Sequence, residues 1–372
     1  MRLTPRFRKP TPLPVKTLLC EPLTPTNSTR TPAHQPRRLV CLFSTLLFTF
    51  TAVLAHAQEY TSIVVFGDSL SDTGNVAHLT EAKYGVRIPG PVADYTDGRF
   101  TDGADTVPAA QNYFGVWIEQ FAATLPSKPE IKDSLDGGTD YAYGFATTGS
   151  GTGVFTFGPS DSLSVNVNNI GQQITDYLAT HPKINDKTLF VIWGGAIDVL
   201  YATSSNDVIT AAINQANNIQ RLIEAGATHF IVPNLPPLGL VPRLNGSPAT
   251  SIPATQASVL YNDVLASGLA ILRDFNPRKH LDLVQLDVFA LFNRIVASPA
   301  RYSLADISSS SQGIPTIDPD TYLFWDDLHP TTRGHNILAH AAKRDIDQHE
   351  RWERLEADGE GIPTGGDGGH QW

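Results

Sequence analysis

The chain has 372 residues, of which 41% are hydrophobic and 17% are charged, a balance that is ordinary for a globular protein with a sizeable core. Residues 1–57 hold 8 of the 27 Lys and Arg side chains but 1 of the 37 Asp and Glu side chains, so the rest of the chain has a net charge of −17. Such a surface repels phosphate backbones, which argues against nucleic acid as a partner.

The N-terminal region is typical of a secretory leader. Two arginines, Arg37 and Arg38, precede an apolar run over 39–54, and an Ala-His-Ala sequence that ends at Ala57 follows. We expect a signal peptide over 1–57 that is cut after Ala57, and hence an exported protein, periplasmic or extracellular. The apolar run is short and broken by Ser and Thr, so a retained membrane anchor is the weaker interpretation. The residues before Arg37 are either an extended leader or the result of a start codon assigned too early.

Both cysteines, Cys20 and Cys41, lie in this leader. The exported chain should therefore have no disulfide, thiol nucleophile or thiolate metal site. The histidines outside the candidate site show no shared ligand spacing, so we expect neither a metal nor an organic cofactor.

After the leader, apolar runs of strand length alternate with longer amphipathic stretches. Length and periodicity predict strands at 61–66, 188–193, 229–232 and 281–286, and helices at 113–123, 167–179, 207–225, 254–275 and 331–342. This alternation predicts βαβ units in a three-layer α/β/α sandwich with a central, mostly parallel sheet, over a single domain at 58–345.

Three segments do not fit this alternation. Residues 84–112 and 146–165 are rich in Gly, Ser, Thr and Asp, and we expect them to be surface loops that wall a substrate cleft. Residues 346–372 are charged and then Gly-rich, which predicts a disordered tail.

A Gly-Asp-Ser-Leu sequence follows the first predicted strand and places Ser69 at the carboxyl edge of the sheet, where ligands of such sheets collect. A serine hydroxyl needs an adjacent base that is held by a carboxylate. His329 and Asp326 lie three residues apart in one late loop and can supply both. Alternatively, Asp326 and Asp327 cap the last helix and His329 is a surface residue. The G-x-S-x-G turn of α/β-hydrolases is absent, and Ser150, in a Gly-rich stretch, is interpreted as a loop residue.

The chain resembles the GDSL, or SGNH, family of esterases and lipases, in its bacterial secreted type, from about residue 61 to residue 342. The similarity is carried by four blocks: 67–75 (GDSLSDTGN), 140–147 (DYAYGFAT), 193–198 (WGGAID) and 324–331 (FWDDLHPT). The resemblance implies the SGNH-hydrolase, flavodoxin-like fold, with Ser69 as nucleophile and Asp326 and His329 completing a triad.

The resemblance also implies an oxyanion hole, the set of donors that stabilises the negative charge of the tetrahedral intermediate. In the family it is formed by the N–H of the serine, the N–H of a glycine in the second block and the amide of an asparagine in the third. Here Phe145 replaces the glycine and can still donate its backbone N–H, whereas Ile197 replaces the asparagine and has no side-chain donor. The donors would therefore be the N–H groups of Ser69 and Phe145. Thr147, Thr148 or an ordered water could supply the missing donor, whereas Asp198 cannot donate while ionised and should brace the backbone.

The resulting hypothesis is an exported serine esterase or lipase that forms an acyl-enzyme. Its substrate would be a small-molecule, lipid or acylated-glycan ester, without nucleic acid or a stable membrane anchor as partner. The alternative is a catalytically weak or inactive relative that binds glycans or lipids, because Ile197 and Phe145 depart from the family pattern.

Overall fold

The computed structural model describes residues 60–103, 114–158, 162–277 and 280–357. The strands in this part of the chain are β1 (Ser62–Gly67), β2 (Thr152–Phe157), β3 (Leu163–Asn168), β4 (Thr188–Trp193), β5 (His229–Pro233), β6 (Asp282–Leu286), β7 (Asp306–Ser310) and β8 (Tyr322–Phe324). The α-helices are α1 (Asn75–Tyr84), α2 (Trp117–Thr124), α3 (Ile170–Thr180), α4 (Ala196–Tyr201), α5 (Ser205–Glu224), α6 (Pro248–Phe275), α7 (Val288–Ala297) and α8 (Thr332–Ala357).

Four parallel strands form the central sheet, in the order β1-β4-β5-β6. In the register, Ser62 lies opposite Thr188, Leu189 opposite His229, and His229 opposite Asp282. All six residues of β4 are buried, as expected of an interior strand whose two faces are both covered. Because the strands are parallel, their carboxyl ends lie at one edge, and the loops that follow them can share a site.

Helices form a layer on each side of this sheet. On one side α2 packs against α8, and elsewhere α5 packs against α6 and α3, while α3 also contacts β1 and α8 contacts β6. The three-layer α/β/α sandwich with a mostly parallel central sheet is therefore confirmed.

An irregular segment extends the sheet beyond β1. The Val65 N–H donates to the Thr139 carbonyl (3.0 Å), the Tyr141 N–H donates to the Val65 carbonyl (2.8 Å), and the Tyr143 N–H donates to the Gly67 carbonyl (3.2 Å). This segment therefore runs parallel to β1 and ends at the same edge of the sheet. It brings the residues after Tyr143 next to the turn that follows β1.

The prediction for residues 146–179 was partly wrong. The helix there begins at Ile170, and the residues before it form β3, which pairs antiparallel with β2. The hairpin β2–β3 occupies much of the segment predicted as a loop. The residues of β2 alternate between exposed and half-buried, whereas β3 buries Val165 and Val167. The sequence of β3, Leu-Ser-Val-Asn-Val-Asn, alternates apolar and polar residues, so the signal of this strand was present but was assigned to a loop and a helix. Helices α1, α4 and α7 were not predicted.

The predicted end of the last helix at Ala342 was wrong, and so was the expectation of disorder from residue 346. Helix α8 continues to Ala357, because Ile346 is buried (2% exposed) and His349 pairs with Asp282 (Nε2 to Oδ1, 2.6 Å). On the exposed side of the helix, Lys343 and Asp347 lie one turn apart and form an ion pair that also stabilises it. The predicted leader (1–57) and the Gly-rich end of the tail (358–372) lie outside the described residues. Among the described helices, none has the length and apolar character needed to cross a membrane.

Candidate active site

The turn after β1 presents Ser69 at the carboxyl edge of the sheet. A Cβ at Gly67 would lie 2.7 Å from the Trp193 carbonyl oxygen, so a glycine is required where β1 ends. Asp68 closes the turn: its Oδ1 accepts from the Leu70 N–H (3.0 Å), and its carbonyl accepts from the N–H groups three and four residues later (3.1 Å each). Asp68 thus braces the turn, and Ser69 is 5% exposed.

The loop between β8 and α8 brings Asp326 and His329 to this serine. Asp326 Oδ1 accepts from the backbone N–H groups of Leu328 (2.7 Å) and His329 (2.6 Å), which folds the loop back on itself. Asp326 Oδ2 lies 2.7 Å from His329 Nδ1, and His329 Nε2 lies 2.9 Å from Ser69 Oγ. The structure therefore joins the three predicted residues in one hydrogen-bond chain, although Ser69 and His329 are 260 residues apart.

The charges around this chain favour an ionised Asp326. Burial acts to raise the pKa of the Asp326 carboxyl, but the charge of His329 and hydrogen bonds from the His329 ring and from the His329 and Leu328 N–H groups outweigh it and lower the pKa below its ordinary value. Asp68 behaves in the opposite way, because burial raises its pKa to about 7. A carboxyl that titrates near neutral pH thus lies next to Ser69.

Phe145 occupies the second predicted oxyanion position, and its backbone is left-handed (φ 71°), a conformation that favours glycine. The preceding Gly144 N–H donates to Asp72 Oδ2 (2.8 Å), while Asn75 Nδ2 donates to the carbonyls of Asp140 (2.8 Å) and Ala142 (2.9 Å). These bonds attach the segment to the residues that follow Ser69.

The backbone N–H groups of Ser69 and Phe145 have no hydrogen-bond acceptor among the described residues. Both lie at the carboxyl edge of β1, beside the same turn. Two donors are therefore available to an added oxyanion.

Ile197 offers no donor, and its side chain is buried (5% exposed) in the first turn of α4. The hydroxyl of Thr148, one of the proposed substitutes, already donates to Asp198 Oδ1 (2.9 Å), and the Thr148 N–H donates to Asp198 Oδ2 (2.9 Å). Asp198 thus braces the backbone, as predicted, and uses the Thr148 hydroxyl to do so.

A small apolar cavity of about 40 Å³, here called the acyl-side pocket, opens at Ser69. Besides Ser69 and His329, its wall contains Asp68, Trp193 and Ile197. The other lining residues are apolar: Leu70, Ala196, Pro236, Leu238, Val241, Phe292, Phe324, Leu328, Pro330 and Leu338.

A second cavity, of about 440 Å³ and here called the polar groove, also reaches His329. Its lining includes His329 and Asp326 but not Ser69. The other lining residues are Ile88, Pro89, Gly90, Ala93, Tyr95, Phe100, Phe155, Arg243, Ser310, Gln312 and Asp327. Phe100 lies with its ring centre 5.0 Å from that of His329. Both segments predicted as cleft walls, 84–112 and 146–165, contribute residues to this groove.

One polar contact of the site was not predicted from the sequence. The Tyr95 hydroxyl donates to Asp326 Oδ2 (2.7 Å), the oxygen that also faces His329 Nδ1. Burial and the charge of Asp326 raise the pKa of this phenol, so it stays a donor at neutral pH. The two residues are 231 positions apart, and a single tyrosine in a Gly/Asp-rich loop gives no signal for such a contact.

One histidine outside the site has acidic neighbours. His78 Nε2 lies 3.3 Å from Asp133 Oδ1, and potential ligand atoms of His78, Asp133 and Asp136 lie within 4.8 Å of one another. Asp136 is already paired with Lys132 (2.6 Å). These residues line neither cavity, and internal pairing accounts for the cluster.

The family of the protein follows from its similarity to known proteins. The profile of the GDSL-like lipases/acylhydrolases matches residues 63–342. The chain belongs to this family. Family members are carboxylic ester hydrolases, and the resemblance carried by the four sequence blocks is thereby confirmed.

Several relatives of this GDSL-like protein have names of their own. A GDSL esterase/lipase of Arabidopsis thaliana is 26% identical over 342 residues, which cover 79% of this chain and 90% of the relative. The phosphatidylcholine-sterol acyltransferase of Aeromonas hydrophila is 25% identical over 278 residues, 74% of this chain and 72% of the relative. An uncharacterised protein of Pseudomonas putida, from the trpE-trpG intergenic region, is 26% identical over 318 residues, 80% of this chain; the chain spans half the length of that relative.

A GDSL-like lipase structure from Parabacteroides merdae superposes with a TM-score of 0.43 at 12% identity, and covers 79% of this chain and 98% of its own.

Proposed function

We propose that the GDSL-like protein is a serine esterase in which Ser69, His329 and Asp326 form the catalytic triad. The observation that carries the proposal is the hydrogen-bond chain from Asp326 Oδ2 to His329 Nδ1 (2.7 Å) and from His329 Nε2 to Ser69 Oγ (2.9 Å). This geometry matches a nucleophile, a base and the carboxylate that orients the base. It favours an esterase over the alternative of an inactive binding module.

The reaction has two halves. With its proton on Nδ1, His329 takes the Ser69 hydroxyl proton on Nε2 as Oγ bonds to the ester carbonyl carbon. The tetrahedral intermediate collapses when the bond to the alcohol oxygen breaks and that oxygen takes the proton from Nε2. Water then repeats the sequence on the acyl-enzyme and releases the acid. Ionised Asp326 stabilises the imidazolium in both halves.

The oxyanion hole of this esterase would consist of the Ser69 and Phe145 N–H groups. Neither N–H has an acceptor among the described residues, so both are available to the intermediate. The missing side-chain donor at Ile197 costs on the order of 10²–10³-fold in kcat. We therefore expect a slow esterase.

The test is the rate of p-nitrophenyl acetate and butyrate hydrolysis by the wild type and by Ser69→Ala. The variant should lose at least about 10³-fold in kcat, because it removes the nucleophile. Ser150→Ala is the matched control, since Ser150 is an exposed serine of a Gly-rich loop and should keep the wild-type rate. Equal rates for wild type and Ser69→Ala would refute the proposal.

The acyl-enzyme has its own test. Adding methanol as a competing nucleophile should give the same ratio of methyl ester to acid from p-nitrophenyl, phenyl and ethyl butyrate, because all three pass through one butyryl-Ser69. A ratio that depends on the leaving group would exclude a common intermediate.

We also propose that the esterase is exported after cleavage near Ala57, on the basis of the sequence of the leader. N-terminal sequencing of the protein recovered outside the cytoplasm should begin at Gln58. Recovery of the chain in the cytoplasm with residues 1–57 attached would contradict export.

A further inference from the structure

We propose that the polar groove binds the alcohol half of the ester, and that this alcohol is uncharged and rich in hydroxyl groups, such as a glycerol or a sugar. The inference rests on the proposed esterase function and adds the substrate class to it. The acyl half of the same ester lies in the acyl-side pocket.

The direction of the substrate follows from the two linings. In the acyl-enzyme the acyl group is bonded to Ser69 Oγ, and Ser69 lines the acyl-side pocket but not the polar groove. The alcohol oxygen takes its proton from His329 Nε2, and His329 lines both cavities. An ester bound across His329 therefore has its acyl chain among apolar side chains and its alcohol in the groove.

The groove wall next to His329 is aromatic. Phe100 lies against the imidazole, and Phe155 from the hairpin β2–β3 meets the Phe100 ring edge-on (ring centres 6.1 Å apart). Tyr95 lies against Trp325 in the same edge-on manner (6.1 Å). Aromatic surfaces of this kind contact the C–H faces of a polyol or sugar ring while its hydroxyl groups point away.

The opposite wall supplies fixed polar groups. Arg243 Nε and Nη2 donate to the two carboxylate oxygens of Asp327 (3.0 and 2.9 Å), and the Arg243 N–H donates to the Asp327 carbonyl (2.8 Å). Gln312 is held by its Nε2, which donates to the Ala93 carbonyl (3.0 Å). The Arg243 and Asp327 side chains are about half exposed (44% and 55%), so their remaining donor and acceptor positions are open to neighbouring hydroxyl groups.

The charge of the groove selects against an anionic alcohol. Arg243 is the one lysine or arginine among the described residues that line it, and its guanidinium is already neutralised by Asp327. Asp326 adds a second carboxylate, whose pKa is held below its ordinary value by the charge and hydrogen bonds of His329 and by the Leu328 N–H, against the effect of burial. A phosphate group would therefore meet net negative charge, whereas neutral hydroxyl groups would not.

The experiment compares esters that share one acyl group. The purified esterase is assayed on ethyl butyrate, glycerol 1-butyrate, 6-butyrylglucose and 1-butyrylglycerol-3-phosphocholine. We expect kcat/KM to be at least about 10-fold higher for the glycerol and glucose esters than for the ethyl ester, which corresponds to one or two net hydrogen bonds. The phosphocholine ester should be no better than the ethyl ester.

Two variants locate the preference in the groove. Phe155→Ala and Arg243→Gln should each lower kcat/KM about 5–10-fold on the polyol esters and less than about twofold on ethyl butyrate. Phe157→Ala is the matched control for the first, because Phe157 stacks on Phe155 in the same strand but does not line the groove. Arg301→Gln, at an exposed arginine that lines neither cavity, is the control for the second.

Three results would overturn the inference: equal kcat/KM for ethyl and polyol esters in the wild type, equal losses on both in the variants, or a preference for the phosphocholine ester. The proposed esterase function fails separately. It stands if p-nitrophenyl butyrate is hydrolysed by the wild type and not by Ser69→Ala, whichever alcohol is preferred.

Discussion

Phe145 combines a backbone conformation that suits glycine with an aromatic side chain that packs against Tyr201. A residue with a Cβ in the left-handed region costs on the order of 1 kcal/mol, and the φ of 71° places Phe145 there. Its ring meets that of Tyr201 edge-on (ring centres 5.5 Å apart), and this contact stabilises the fold by a similar free energy. The Phe145 N–H has no acceptor among the described residues in this conformation, so the strained backbone is compatible with the donor role proposed for it.

Replacing Phe145 separates these contributions. Phe145→Ala and Phe145→Gly both lose the contact with Tyr201, but only the glycine variant relieves the backbone. We expect Phe145→Gly to be more stable than Phe145→Ala by about 1 kcal/mol in the free energy of urea-induced unfolding. Both variants should keep kcat on p-nitrophenyl acetate within about threefold, since the N–H donor is retained. A Phe145→Ala variant that is the more stable of the two would contradict the strain argument.

Ile197 stands where the family resemblance implies an asparagine that donates to the oxyanion. Ile197→Asn places an amide in the wall that also contains Ser69 and Asp68. If the Nδ2 group reaches the oxyanion, kcat on p-nitrophenyl butyrate should rise by about 10-fold or more, part of the 10²–10³ that such a donor contributes. Ile197→Val is the control and should leave kcat near the wild-type value. A lower or unchanged kcat for Ile197→Asn would count against the argument that a missing donor at this position slows the enzyme.

At the scale of elements, the site depends on loops that converge from distant parts of the chain. The turn after β1, the segment that runs beside β1 and the loop before α8 meet at the carboxyl edge of the sheet. The Tyr95 loop then adds its hydroxyl to the Asp326 carboxylate (2.7 Å). Asp326 Oδ2 thus divides its hydrogen bonding between His329 and a neutral phenol.

Without the Tyr95 hydroxyl, the negative charge of the Asp326 carboxylate should interact more strongly with His329. In Tyr95→Phe the imidazolium is then stabilised more strongly, and the acidic limb of the kcat/KM profile should move to higher pH by roughly 0.5–1 unit. A fall in kcat of about threefold to 10-fold should accompany it, because Asp326 is held less firmly. Tyr84→Phe is the matched control, since its hydroxyl bonds the Ser164 carbonyl (2.8 Å) away from the triad. A lower rate with an unshifted limb would indicate a purely structural role for Tyr95.

How far the sequence predicts each element depends on how local its determinants are. Strand β4 was predicted residue for residue, because a buried parallel strand is a continuous apolar run. Hairpin β2–β3 was missed because half of its strand residues are Gly, Ser, Thr or Asn, which is typical of a loop, although β3 alternates apolar and polar residues and buries Val165 and Val167. Helix α8 was predicted too short, since what sustains it beyond Ala342 is Asp282, a residue of β6 that only the fold brings to His349.

The same distinction applies to the site. Ser69, Asp326 and His329 were found because each lies in a short segment whose neighbours also fit the role. Tyr95 and the groove residues Arg243 and Phe155 were not found, because their placement depends on packing between segments that are far apart in the sequence, 84 positions for Arg243 and Asp327 and 231 for Tyr95 and Asp326. Long-range contacts of this kind leave no local pattern.

For the whole molecule, the buried ionisable groups couple stability to pH in two opposite directions. Burial lowers the pKa of His335 to about 3, so between pH 3 and its ordinary value of 6.5 the unfolded chain binds more protons. That contribution to stability is complete above pH 6.5 and is lost as the pH falls. Burial raises the pKa of Asp68 to about 7 and of Asp72 to about 6, so between pH 3.8 and these values the folded chain binds more protons. Their contribution is lost as the pH rises.

The pH range in which His335 changes the unfolding free energy overlaps that of the carboxyls between about pH 4 and pH 6.5. In the wild type, the opposite pH dependences from His335 and one carboxyl therefore largely cancel, and single variants should reveal them. Relative to the wild type, the unfolding free energy of Asp68→Asn should increase as the pH rises from 4 to 7. The unfolding free energy of His335→Gln should increase relative to the wild type as the pH falls from 6.5 to 4. Each slope should approach about 1.4 kcal/mol per pH unit. Urea unfolding at pH 4, 5, 6, 7 and 8 measures both. Parallel curves for wild type and Asp68→Asn would mean that this carboxyl has the same proton affinity in the folded and unfolded chains, and that its contact with the turn at Ser69 does not depend on its charge.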